Sequence, residues 1–258
     1  MKKRSAAALA VPLTLLAAGI GVLLRGYQLK NAMDAQGLLL LGNRTPLILA
    51  IFLVLTAALL GVLTAKLPKR ERFEDNFSNA LGPVIASCLF SVLLLVGNGM
   101  LLPQTKGAVR LVPILGILAA LTQLYLQVLW QKGKAPSPAL PAVTCIYLIA
   151  KLIFDFKNWS SDPVILDYCF KLLAEICSML ASYHVIGFCF AKGRRRIAVF
   201  WCCMSTVLCA MSVADSFCGS IRLAEALIYG GIGLWLFMCC LQLLATISND
   251  GKYLKKRT

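Results

Sequence analysis

The chain contains eight apolar stretches, most close to the roughly 20 residues that cross a bilayer as a helix, separated by short loops rich in Lys, Arg and Pro. Backbone N–H and C=O groups at membrane depth must be satisfied internally, which leaves only helices and closed barrels. Segments of alternating polarity about ten residues long, the mark of a barrel, are scarce. The expected fold is therefore all-α, a polytopic transmembrane bundle of about eight helices. Composition agrees: 14% of the 258 residues are charged, against about 25% in a soluble domain. That is too little polar surface to face water all round.

The pattern predicts helices at Ala6–Leu24, Pro46–Ala65, Leu81–Leu102, Leu111–Trp130, Pro141–Phe156, Val164–Ala191, Ile197–Phe217 and Leu223–Ile247. The fifth is the weakest, because only Pro141–Ala150 is free of charge, and a seven-span alternative makes it re-entrant. The basic start at Lys2, Lys3 and Arg4 resembles a secretory signal. The apolar run that follows exceeds the 7–15 residues typical of a signal core, so it is read as an uncleaved first helix. Pro136, Pro138 and Pro141 form a stiff connector. It divides the chain into a mostly apolar half, 1–135, and a half with intramembrane charges, 136–258, with no residue-level repeat relating them.

Orientation follows from the cations. Seventeen of the 26 Lys and Arg fall at the two ends and in alternate loops, at residues 2–4, 66–72, 132–134, 192–196 and 252–257. Seven fall in the other loops, and Lys151 and Lys171 lie within spans. Only an even number of crossings gives this alternation, and the positive-inside rule then places both termini in the cytoplasm of a cell-membrane protein. The formal net charge of +15 is thus a matter of topology and anionic headgroups, and no nucleic-acid partner is expected.

Charge inside the spans is concentrated in the second half: Lys151, Asp155, Asp167, Lys171, Glu175, Asp215 and Glu225. A charge at that depth costs several kcal/mol unless paired or wetted, so these residues form a candidate polar cavity or a structural lock. Asp167, Lys171, Glu175, Ser178 and Ser182 share one helix face by their spacing, as do Thr144, Tyr147, Lys151 and Asp155 on the preceding helix. Lys151 can pair with Asp155 or Glu175, and Lys171 with Glu175 or Asp155; spacing alone leaves these open. Ser205, Ser212 and Asp215 follow on the seventh helix. The eighth carries Glu225 and Tyr229, then the small residues Gly230, Gly231 and Gly233, which permit close helix contact. Six of the eleven acids lie on the outer side of these four helices in this orientation, which favours a cation, a proton or a zwitterion. The plainer reading is that Asp155, Asp167, Asp215 and Glu225 touch water near helix ends, and that both lysines snorkel. Glu175, two turns inside Asp167, requires a partner or water.

Other chemistry is thin. The eleven Cys include no C-x-x-C, and His184 is the sole histidine, which excludes H-E-x-x-H. No nucleophile elbow or phosphate-binding loop occurs, so no enzyme, cofactor or metal is expected. Gln123 and Gln127 are placed to bond between helices, and Asn98 either at a helix end or between helices. The leading expectation is a small-solute or cation transporter-like or solute-binding protein. Its alternative is a non-catalytic signalling or assembly subunit, whose Lys192–Arg196 loop and Lys252–Arg257 tail contact anionic lipid or a cytoplasmic protein.

Overall fold

Eight long helices carry the chain in the computed structural model, which describes residues 3–32, 40, 42–69, 71–73, 76–77, 81–132, 136–160, 165–217 and 222–254. The Asp167 side chain and the basic tail side chains lie outside the described residues. The helices are α1 (Lys3–Asn31), α2 (Thr45–Ala65), α3 (Leu81–Leu101), α4 (Leu111–Gln131), α5 (Ala139–Trp159), α6 (Ile165–Cys189), α7 (Arg195–Phe217) and α8 (Leu223–Leu254). Two short 3-10 turns link α3 to α4, and no strand occurs among the described residues. All eight helices are long and apolar enough to cross a membrane, with mean hydropathy from 1.5 to 2.8 over their candidate spans. The predicted weak helix, α5, is continuous over 21 residues despite its charges, and Lys151 and Asp155 pair one turn apart on it.

Local chemistry sets the ends. Pro46 occupies the first turn of α2, where its missing N–H is not needed. Helix α6 stops through paired bonds from the Ala191 N–H to the Phe188 carbonyl and from the Lys192 N–H to the Gly187 carbonyl. This is a Schellman closure, and it turns the chain sharply into α7 with Ala191 in the left-handed region at φ 54°.

Helices α3 to α8 pack in sequence, and α8 returns to pack along α3, closing a six-helix ring. Helices α1 and α2 lie outside it, along α7. The closure depends on two glycines. A Cβ at Gly97 would lie 2.8 Å from the Ala224 carbonyl oxygen, and one at Gly231 would lie 2.9 Å from the Phe90 carbonyl oxygen. The α3 and α8 backbones touch only because both are absent. The ring draws α3 and α4 from residues 1–135 and its other four helices from 136–258, so packing crosses the proline connector. Burial grades outward: 72% of the most apolar stretch of α7 is buried, against 22% for α2. Exposed Leu47, Ile51, Val54, Leu59 and Val62 leave α2 with an aliphatic outer surface, as expected of a helix bathed in lipid rather than water.

Backbone and side-chain contacts order the two ends of the bundle. The α6–α7 turn meets the segment after α2, through the Gly193 N–H to the Glu71 carbonyl, and Arg195 meets Thr246 near the end of α8. Helix α1 runs beside α7 in the same direction, with Gly21 against Met211 and Arg25 against Asp215. Lys151, Asp155, Glu175 and the Arg25–Asp215 pair gather toward the opposite end from the α6–α7 turn.

Candidate functional site

The interior of the ring is polar in layers. In the first layer, the Ser91 hydroxyl donates to Gln123 Oε1 at 3.1 Å, and Gln123 Nε2 donates to Thr144 at 3.4 Å, joining α3, α4 and α5. In the second, Tyr147 donates to Asn98 Oδ1 at 3.3 Å across the ring from α5 to α3. Asn98 fills the space where a side chain on position 116 would stand: a Cβ at Gly116 would lie 2.1 Å from Asn98 Oδ1. Asn98 and Gln123 thus bond between helices as expected. Both polar atoms of the Gln127 carboxamide are buried without a partner among the described residues.

The third layer holds the charges. Lys151 Nζ lies 2.8 Å from Glu175 Oε1 and also contacts Asp155 one turn along α5. Tyr229 of α8 donates its hydroxyl to the same Glu175 oxygen at 2.7 Å. The ammonium also sits 5.0 Å from the centre of the Tyr229 ring, close enough for a cation–π attraction. Three helices of the ring thus converge on one carboxylate. The other oxygen, Glu175 Oε2, is buried with no hydrogen bond among the described residues. An ammonium is a compact point charge with three rotatable donors, so it serves two carboxylates at once where a planar guanidinium would favour one.

This cluster borders a cavity of about 250 Å³. Lys151, Asp155, Glu225 and Arg222 supply its charged walls, and Tyr147 and Asn98 its polar inner end. It reaches the surface at Asn158 and Arg222, both exposed. Glu175 stands behind Lys151. Counting Glu175, three carboxylates face two cations, a net of one negative charge if all are ionised.

Beyond Glu175, the α6 stripe continues as expected. Lys171, Glu175, Ser178 and Ser182 are all buried, while Ile176 is exposed on the opposite face. The Ser178 hydroxyl bonds Ser205 of α7 at 2.6 Å. His184 is half-buried against Tyr183 in the half of α6 remote from the charges.

The remaining predicted residues are placed differently. Lys171, expected beside Lys151 as a counter-ion of Glu175, lies 5.7 Å from the Trp159 ring. Asp215 belongs to a separate cluster. Arg25 Nε donates to Asp215 Oδ1 at 2.8 Å and Arg25 Nη1 donates to Gln28 Oε1 at 2.8 Å, with the Phe170 ring 4.8 Å away. Both charged side chains are fully buried. The hydropathy pattern puts Arg25 in a loop, because hydrophobicity falls after Leu24, yet α1 runs on to Asn31. A signal for this exists. Ala10, Thr14, Ala17, Arg25 and Gln28 form one buried stripe with Gly21, and its spacing of three and four residues passes the apparent helix end without a break.

Among the described residues, no group of three or more His, Cys, Asp or Glu is arranged to hold a metal ion. No protein-family model matches the chain, and no curated protein or solved structure does either.

Proposed function

We propose that the protein is a multi-pass cell-membrane protein with both termini in the cytoplasm, and that its ring cavity opens outward to bind a cation or a small, positively charged solute as part of a transporter-like cycle. The observation that carries this is the shared Glu175 carboxylate. It is held by Lys151 and Tyr229 behind a cavity whose walls add Asp155 and Glu225. A cation entering the cavity competes with Lys151 for Asp155 and Glu175. Once the ammonium is displaced, α5 loses its tie to α6, and the two helices are free to shift. A ligand moves such an equilibrium only by its preference for one state, and here that preference is the exchange of one positive charge for another.

The test is Glu175→Gln in proteoliposomes. Proton flux is followed with an entrapped pH dye, and uptake is followed with guanidinium and tetramethylammonium as cationic probes. The variant keeps an acceptor for Tyr229 and loses the charge. The expected result is at least about a tenfold loss of flux, equivalent to about 1.4 kcal/mol. Unchanged flux removes Glu175 from the mechanism.

A second reading, a non-catalytic signalling or assembly subunit, draws on the Arg25–Asp215 pair, whose two charged side chains are fully buried. Under this reading Glu175→Gln lowers thermal stability or assembly instead of flux.

A further inference from the structure

At the end of the bundle opposite the Glu175 cluster, a second cavity of about 410 Å³ lies between the segment after α2 and the start of α7. Among the described residues, Lys69, Arg194, Arg195 and Arg196 line it, with one acid, Glu71. Its walls are pinned. Arg196 Nε donates to the Leu67 carbonyl at 2.6 Å, the Gly193 N–H donates to the Glu71 carbonyl at 3.2 Å, and buried Arg195 bonds Thr246 of α8. Lys69 and Arg194 remain exposed at its mouth.

Arg196 and Ile197 also form the wall of an adjoining groove of about 360 Å³, which continues between α2 and α7 past Gly61, Thr64, Ala65 and Phe200. The groove is open at Gly61, where an added Cβ would come no nearer than 4.0 Å to Phe200. The cavity concentrates positive charge, and the groove offers an aliphatic and aromatic surface continuous with it.

We infer that this is a binding site for one anionic glycerophospholipid, its phosphate headgroup among Lys69, Arg194 and Arg196 and an acyl chain along the α2–α7 groove. Charge complementarity selects the headgroup, and the groove selects a lipid over a free phosphate, which would use the cavity alone. The inference rests on the helices spanning a membrane but is independent of the Glu175 cavity. A bound lipid would bridge α2, the outermost and least buried helix, to the central helix α7.

The test uses the full-length protein in a neutral detergent. Binding is read by thermal shift and by native mass spectrometry with dioctanoyl phosphatidylglycerol, dioctanoyl phosphatidylcholine and inorganic phosphate. Phosphatidylglycerol is expected to stabilise the protein saturably, with phosphatidylcholine and phosphate giving little. Lys69→Gln with Arg194→Gln removes two exposed cations that hold no described structural bond, and weakens phosphatidylglycerol by about tenfold or more. Gly61→Leu fills the groove and removes the lipid response, while leaving any weak phosphate response intact. Both variants are compared at equal lipid-free melting temperature, and Gly61→Val, which also projects into the groove, serves if Gly61→Leu melts lower. Equal stabilisation by phosphatidylcholine, a full response to phosphate alone, unaltered binding by either variant, or no binding at all would each overturn the assignment.

Discussion

Arg25–Asp215 and Lys151–Glu175 are both buried ion pairs between helices, and they differ in the cation they use and in what surrounds it. The first joins α1 to α7 through a guanidinium that is also bonded to Gln28 and covered by Phe170, with no exposure of either charge. The second uses an ammonium divided between two carboxylates and set against a cavity. A planar guanidinium engages a carboxylate through fixed, directional donors, whereas an ammonium rotates and exchanges partners at lower cost. The bundle thus places an arginine in the fully buried α1–α7 pair and a lysine in the pair beside the cavity.

The largest expected effect tests the α1–α7 pair. Arg25→Ala removes the guanidinium that bonds the buried Asp215 carboxylate, and breaking a buried pair costs about 3–5 kcal/mol. The melting temperature measured by size exclusion after heating should fall further than for Tyr229→Phe, Glu175→Gln or Glu225→Gln. Arg25→Leu with Asp215→Leu should recover most of the loss, since a sealed pair is replaceable by apolar packing. Failure of the double variant to recover would show that the pair does more than hold α1.

Tyr229→Phe comes next. It removes a hydrogen bond to a charged group, worth about 1.5–3 kcal/mol, and it leaves the ring beneath Lys151. Melting temperature should fall by less than for Arg25→Ala, and probe uptake should fall with it. Glu175→Gln sharpens the comparison most, because its two readouts should separate: flux drops, while melting temperature moves by about 1 kcal/mol or less in equivalent stability, a neutral hydrogen bond being retained. A large loss of stability with intact flux would make Lys151–Glu175 a structural lock and erase the distinction. The smallest effect belongs to Glu225→Gln. Half-buried in the cavity wall, Glu225 should change melting temperature by less than about 0.5 kcal/mol in equivalent stability, while apparent affinity for a cationic probe weakens severalfold.

Much of this is legible along the chain. Periodicity places Lys171, Glu175, Ser178 and Ser182 on one inward face, and the structure buries all four. The need of Glu175 for a partner follows from its depth alone. The identity of that partner does not follow, because Lys151 and Lys171 sit equally well in the pattern and each could neutralise it. Arg25 is hidden for a different reason. Hydropathy averages over a window and drops once polar residues appear, whereas the buried stripe of α1 continues through Arg25 and Gln28. With Arg25 hidden, Asp215 has no evident partner in the pattern and groups with the cavity residues instead.

The sequence by itself determined the helical class of the apolar segments, the faces they turn inward and which charges must be compensated. These depend on length, hydropathy and a helical period, all of which are local. The tertiary structure alone decided the six-helix closure through Gly97 and Gly231, the division of the charges into two clusters, and the cavity beside one of them. Those outcomes depend on which helices approach closely enough to share a carboxylate, and several pairings satisfy the charges equally until backbone packing selects one.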